Sequence, residues 1–178
     1  MCLNVIACDK REAFAQGSES DEAIHSFFVP RDGLLRFARN DGYRNPMTSD
    51  RLFVYGTLMR GFDHPMAQLL SRSADFLGKA TCRGRLYRVK HYPGLVLSDD
   101  PGDIVSGEVY RLRQPEALLR EFDMYEACGE GFAEPTEYVR RMLPVTLADG
   151  GDIEVWTYVY NWPVAHLARI ASGRFLEG

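Results

Sequence analysis

Residues 138–160 read YVRRMLPVTLADGGDIEVWTYVY, two runs rich in β-branched and aromatic residues on either side of a turn. Asp149-Gly150-Gly151 supplies the positive φ angles that a tight hairpin turn needs. The pattern therefore predicts that strands over 138–147 and 153–160 pair as an antiparallel hairpin. Pro144 has no N–H to donate to a ladder, so we expect it at an edge or a bulge.

Shorter β-rich runs precede this hairpin and alternate with turn signals, which predicts further strands over 51–55, 84–89 and 107–112. Helical patterns interrupt them. We expect two helices and a third short one near the C-terminus, over 65–73, 115–125 and 164–170. The fold class that follows is mixed α/β, with a small, mostly antiparallel β-barrel or sheet and flanking short helices.

The first 46 residues differ from the rest, because they mix charges, short apolar patches and turn residues without a sustained period of 2 or 3.6. We expect 1–46 to be a poorly ordered leader, or sequence upstream of a natural start at Met47. Residues 47–178 are then one domain. A functional N-terminal arm is the alternative, since the apolar patches at 24–29 and 34–37 are able to dock on the body.

Composition excludes several classes of protein. The chain has 178 residues, of which 46% are hydrophobic, and 21 Lys plus Arg against 25 Asp plus Glu leave a net charge of −4. A nucleic-acid partner is not expected. No apolar run approaches the roughly 20 residues that span a bilayer, so no membrane partner is expected either. The four cysteines have no metal-binding spacing, which predicts free thiols, no metal and a cytoplasmic location; they are Cys2, Cys8, Cys82 and Cys128.

The first candidate for chemistry is the loop Tyr55-Gly56-Thr57-Leu58, which follows the first predicted strand. Gly56 lacks the side chain that would keep a ligand from the backbone. Consecutive free N–H groups after such a strand are able to hold a carboxylate or a developing oxyanion. An ordinary glycine turn between strand and loop is the alternative.

The second candidate is Glu126, which follows the helix 115–125. It lies four residues after Phe122 and so projects from the same apolar face, at the helix end. Burial and the negative end of the helix dipole both favour the protonated carboxyl there, as a general acid/base requires. The alternative is a solvated glutamate or a partner of Arg140.

Other polar groups in these segments are interpreted as less specific. Glu121 and Asp123 read as surface charges, and most of the aromatic residues on strands read as core. Tyr138 is the exception, because it opens a strand 12 positions after Glu126 and its hydroxyl is able to line the same cavity. No recognised catalytic spacing includes the histidines His64, His91 and His166.

Six motifs in order resemble the γ-glutamylcyclotransferase family, and in particular its AIG2-like branch, which is related to γ-glutamylamine cyclotransferase. They cover nearly all of residues 51–161. The motifs are YGTLMRG from Tyr55, PGLV from Pro93, SGEVYRL from Ser106, FDMYEA from Phe122, YVRR from Tyr138 and VWTYVY from Val155.

The resemblance implies a small mixed barrel with a cavity at its mouth and a reaction that uses no metal or organic cofactor. It also implies that the loop 55–58 binds a γ-glutamyl group through its backbone and that Glu126 transfers protons while 5-oxoproline forms. The segment 127–131 departs from the family's short turn after this glutamate. A non-catalytic module that holds a small metabolite in the same cavity is therefore the alternative function.

Overall fold

The computed structural model of the protein describes residues 49–176. The predicted leader and the boundary at Met47 lie outside these residues. Within this range the chain forms eight strands and two helices: β1 Arg51–Val54, α1 Pro65–Ser73, β2 Ala74–Arg83, β3 Arg85–Arg88, β4 Pro93–Val96, β5 Ile104–Leu112, α2 Pro115–Tyr125, β6 Tyr138–Leu147, β7 Asp152–Tyr160 and β8 Ala168–Ile170.

Five of the strands close into a barrel in the order β1-β5-β2-β6-β7. β1 and β7 close it through a parallel pairing of Leu52 with Trp156, and the other neighbours in the barrel are antiparallel. The predicted fold class, a small and mostly antiparallel barrel with flanking helices, is confirmed.

The hairpin predicted at 138–160 is also confirmed. β6 and β7 pair from Tyr138 with Tyr160 to Thr146 with Asp152. Gly150 has a φ of 91° in the connecting turn, a positive value that glycine adopts without strain. Pro144 lies on the part of β6 that pairs with β7 alone, because β2 meets β6 only at the far end of the strand. That is the edge position expected of a proline.

Both longer helices begin and end as predicted, and each has proline in its first turn. The His64 side chain caps α1 by accepting a hydrogen bond from the N–H of Met66 at 3.2 Å. α2 packs on the barrel through Leu118, Leu119 and Phe122, which are buried. No helix within residues 49–176 has the length and apolar character that crossing a membrane requires.

The third helix predicted at 164–170 is wrong. Residues 164–167 form a turn, in which the N–H of Leu167 donates to the Val164 carbonyl at 2.9 Å. Residues 168–170 then form β8, which pairs with β3 in a second sheet of order β4-β3-β8. A segment this short gains few intrahelical hydrogen bonds. As a strand, all three of its residues pair with the open edge of β3.

Alternation along β1 separates two buried clusters and sets the position of the loop that follows. Phe53 and Tyr55 pack with the cluster inside the barrel, and Leu52 and Val54 pack with the cluster beneath the helices. Tyr55 therefore enters the barrel interior, and the chain emerges at the barrel end from Gly56 onward. Cys82 and Cys128 are buried free thiols, while Cys2 and Cys8 lie outside the described residues.

The second sheet is tied to the barrel by Asp103, a buried carboxylate just before β5. It accepts hydrogen bonds from Ser98 at 2.6 Å, from Arg85 at 2.5 Å and from Arg169. Arg85 lies on β3 and Arg169 on β8. The hydrogen bond from Ser98, followed by those from the two arginines, holds the pKa of Asp103 below its ordinary value.

Candidate active site

The loop after β1 contains a tight turn with open backbone donors. The Gly56 carbonyl accepts a hydrogen bond from the N–H of Met59 at 3.0 Å, which closes a β-turn over Thr57 and Leu58. Within the part of the chain that the structure describes, the N–H groups of Gly56, Thr57 and Leu58 have no acceptor. Gly56 and Leu58 are buried residues, and donors in such a segment need an acceptor, which a bound ligand or water supplies.

Residue 56 must be a glycine because Pro93 packs against it, a contact that the sequence alone did not predict. A Cβ at this position would lie 2.5 Å and 2.8 Å from Cγ and Cδ of Pro93, the first residue of β4. The space beside the Gly56 Cα is thus occupied by the proline ring. The glycine allows β4 to pack against the loop, rather than clearing this side for a ligand.

The Tyr55 side chain is committed to the barrel interior. Its hydroxyl donates to the Tyr158 carbonyl at 2.7 Å and accepts from the N–H of Leu95 at 3.3 Å. Burial raises the pKa of this phenol well above its ordinary value, and the nearby charge of Glu126 raises it further. The contribution of Tyr55 to a bound ligand is therefore limited to its backbone.

Glu126 is fixed by the geometry of the end of α2. It is the C-cap residue, and Ala127 follows with a φ of 52°. The N–H of Ala127 donates to the Met124 carbonyl at 3.3 Å, and the N–H of Cys128 donates to the Asp123 carbonyl at 2.9 Å. These two bonds form a Schellman motif, which reverses the chain directly after Glu126. The glutamate is half-buried at this reversal.

The structure brings Glu126 and the loop together. Burial raises the pKa of Tyr125, the residue before Glu126, and the nearby Thr57 side chain opposes that effect. The charge of Glu126 also adds to the effect of burial in raising the pKa of Tyr55 and of Tyr138. Electrostatic effects of this kind require proximity. The carboxylate, the loop and Tyr138 therefore belong to one region at the barrel end.

Tyr138 forms part of the wall of this region, because its hydroxyl donates to the Pro93 carbonyl at 2.8 Å. Its ring lies 6.3 Å from that of Tyr92 and 5.5 Å from that of Tyr160. The side chain is buried. Tyr138 thus holds Pro93, which in turn packs on Gly56.

Asp123 has a role that the sequence interpretation missed, since it is not a surface charge. Arg140 Nε lies 3.2 Å from its Oδ1, and the Tyr158 hydroxyl donates to the same oxygen at 2.9 Å. Burial raises the pKa of Asp123, against the opposing effects of Tyr158 and Arg140. The cluster fastens the last turn of α2 to β6 and β7. The exposed Glu121 is a surface residue, as expected.

Two histidines also lie closer to the site than their sequence context indicated. The His64 ring lies 5.2 Å from that of Tyr125, and the His91 ring lies 5.0 Å from that of Tyr92. Burial lowers the pKa of His64, and the charge of His91 lowers it further. The position of His64 directly before Pro65 was the available signal, because it marks a helix N-cap.

A separate open cleft of about 330 Å³ begins where the loop ends. It is lined by residues 59–62 and by the side of α1 that carries Ala67, Gln68, Ser71 and Arg72. Neither Glu126 nor residues 55–58 line it. Within residues 49–176, no cluster of His, Cys, Asp and Glu has the arrangement of a metal site.

The sequence is similar to proteins of the γ-glutamylcyclotransferase family. The sequence profile described as "Gamma-glutamyl cyclotransferase, AIG2-like" matches residues 52–177, which include the loop and Glu126. YtfP of Escherichia coli (strain K12), a γ-glutamylcyclotransferase family protein, is 35% identical over 131 residues that cover 71% of this chain and 96% of that protein. The ytfP protein of Citrobacter rodentium gives the same identity and coverage.

The fold of a relative in this group has been determined. An AIG2-like protein from Mus musculus matches with a TM-score of 0.53 and 26% identity. The match covers 66% of this chain and 80% of the mouse chain.

Proposed function

Because the chain belongs to the AIG2-like family of γ-glutamyl cyclotransferases, we propose that it releases 5-oxoproline and a free amine from a γ-glutamyl amine or a related γ-glutamyl compound. In this reaction the α-amine of the γ-glutamyl group attacks its own γ-carbonyl carbon. A new C–N bond closes the ring, the original amide C–N bond breaks, and the departing nitrogen takes up a proton.

Glu126 is the proposed proton carrier. As the carboxylate it takes a proton from the attacking α-amine, which must be unprotonated to act as a nucleophile. The resulting carboxylic acid then gives a proton to the departing amine. The fixed backbone at the C-cap of α2 holds the group for both steps, since the Schellman bonds leave Glu126 little conformational freedom.

The N–H groups of Gly56, Thr57 and Leu58 are the proposed donors to the γ-carbonyl oxygen. That oxygen gains negative charge as the amine attacks, and preorganised donors in a water-poor site stabilise it strongly. Ring closure is intramolecular, so binding the folded-back conformer contributes to the rate through orientation. Pro93 and Tyr138 support the loop from behind.

The observation that supports the proposal most directly is the combination of open donors with a nearby carboxylate. Three successive N–H groups lack an acceptor within residues 49–176. The Thr57 side chain acts on the pKa of Tyr125, the residue beside Glu126, and the charge of Glu126 acts on that of Tyr55. A donor row and a proton carrier are the two parts that cyclisation needs.

A substrate panel tests the proposal. The full-length protein is incubated with γ-glutamyl amines, γ-glutamyl dipeptides and glutathione, and 5-oxoproline is detected by mass spectrometry. We expect product from at least one γ-glutamyl amine. Thermal stabilisation by panel members without any product would contradict the proposal and favour a binding module, because a ligand that binds the native state raises its stability.

A further inference from the structure

The Glu108 side chain on β5 is a buried carboxylate that takes no part in the reaction described above. The residue is 5% exposed. It lies between Gly107 and Val109 on β5, next to the end of β1. A buried carboxylate is unfavourable unless its oxygens are hydrogen-bonded, so its partners indicate what it does.

Both oxygens of Glu108 contact donors of Arg60. Oε2 accepts from the Arg60 backbone N–H at 2.9 Å and from the Tyr110 hydroxyl at 2.8 Å. Oε1 lies 3.5 Å from Nε of the same arginine. The Arg60 guanidinium is held in place from its other side, because its Cζ lies 3.4 Å from the centre of the Phe76 ring.

Glu108 therefore fixes both ends of the loop that contains the open donors. In the ladder between β1 and β5, its backbone is opposite Val54, the last residue of β1. The chain then makes the turn closed by Gly56 and Met59, and it returns to the Glu108 carboxylate at Arg60. The main chain and the side chain of Glu108 thus lie at the two ends of the segment Tyr55 to Met59.

We propose that Glu108 is a positioning residue that holds the N–H groups of Gly56 to Leu58 where the γ-carbonyl oxygen binds. This inference rests on the proposed function for its effect on catalysis. Its structural part, the anchoring of residue 60, stands independently of any substrate. Misplacement of donors by a fraction of an ångström weakens oxyanion stabilisation far more than it weakens substrate binding.

Glu108→Gln tests the anchor with little change in volume. The amide has only one acceptor oxygen, whereas two donors of Arg60 approach two different oxygens of Glu108. Either orientation of the amide therefore sets a donor against a donor. Asp75→Asn is the matched control, because Asp75 is an exposed carboxylate on β2 that pairs with Arg113 at 2.6 Å.

The experiment combines hydrogen exchange with kinetics on the full-length protein. In Glu108→Gln we expect the amides of Met59 and Arg60 to exchange at least tenfold faster, with the amides of β6 and β7 unchanged. We expect kcat for 5-oxoproline release to fall at least tenfold and KM to change less than threefold. Asp75→Asn should match the wild type in both readouts.

Unchanged exchange at Met59 and Arg60 would overturn the anchoring role. Faster exchange with full turnover would overturn the link to catalysis. If the wild type makes no 5-oxoproline from any panel member, the proposed function fails, and exchange alone then decides the anchoring role. Should Glu108→Gln not fold, Glu108→Asp provides the same exchange test, since its shorter side chain withdraws the carboxylate from the Arg60 N–H.

Discussion

Ala127 holds a left-handed backbone conformation with a φ of 52°, directly after Glu126. This conformation costs a residue with a Cβ about 1–2 kcal/mol, and glycine adopts it without that cost. We predict that Ala127→Gly raises the free energy of unfolding by about 0.5–1 kcal/mol, after the greater entropy of glycine in the unfolded chain is subtracted. Urea unfolding measures the change.

Ala117→Gly is the control for that prediction, because Ala117 is an exposed residue within the same helix. There the substitution should lower the free energy of unfolding, by less than the cost of about 1 kcal/mol in a helix interior, because Ala117 is in the first turn. A decrease of similar size in both variants would contradict the account of the helix end.

Gly56 gives a second prediction at the residue scale. A Cβ would lie 2.5 Å from Pro93 Cγ, so Gly56→Ala must move the loop or the start of β4. We predict a loss of about 1–3 kcal/mol in the free energy of unfolding, together with a fall in 5-oxoproline release. Gly151→Ala is the control, since its Cβ would meet nothing closer than 3.4 Å. Equal losses in both variants would contradict this role.

The residues proposed for the candidate site follow from local sequence patterns, whereas the contacts that surround them could not be predicted. YGTL after a strand and a glutamate at a helix end are local patterns. Pro93 on Gly56, Asp123 with Arg140, and Glu108 with Arg60 are contacts between distant segments, and they depend on how the barrel closes. A single sequence does not show which of its distant segments the barrel brings into contact.

At the scale of elements, Asp103 links two sheets through Arg85 on β3 and Arg169 on β8. Its pKa is lower in the folded protein than its ordinary value. As the pH falls, the unfolded chain binds the proton first. The stabilisation is therefore present above the ordinary carboxyl pKa, and it is lost as the pH falls through the folded value.

We predict that Asp103→Asn destabilises the protein at about pH 5 and that the difference from the wild type shrinks at about pH 3. Urea unfolding at the two pH values measures this difference. Asp99→Asn, an exposed carboxylate in the same connection, should differ little from the wild type at either pH. A difference in the free energy of unfolding between Asp103→Asn and the wild type that stays constant with pH would contradict the proposed role of the Asp103 carboxylate.

Element prediction from sequence succeeded where the pattern was strong and failed where tertiary contacts decide. The helices with proline at their start and the hairpin around Gly150 have local signals. β2 has a bulge between Phe76 and Gly78, which breaks the alternation that would have marked it. β8 has three residues and forms because β3 offers it an edge.

At the scale of the whole molecule, the barrel positions the candidate site by joining distant parts of the chain. β1 provides the loop, α2 provides Glu126, and β4 and β6 meet behind the loop through Pro93 and Tyr138. The class of fold could be predicted because the strands and turns with strong local signals, such as the hairpin around Gly150, agreed with it. The closing pair of β1 with β7 is parallel and distant in sequence, and no local pattern indicates it.

The most direct test of the central claim is turnover of a γ-glutamyl substrate by Glu126→Gln in the full-length protein. We predict that 5-oxoproline release falls by about 10²–10⁴-fold, with the melting temperature and substrate binding retained. Glu121→Gln, an exposed glutamate on the same helix, should keep its activity. Full turnover by Glu126→Gln would contradict the claim that this glutamate carries the proton.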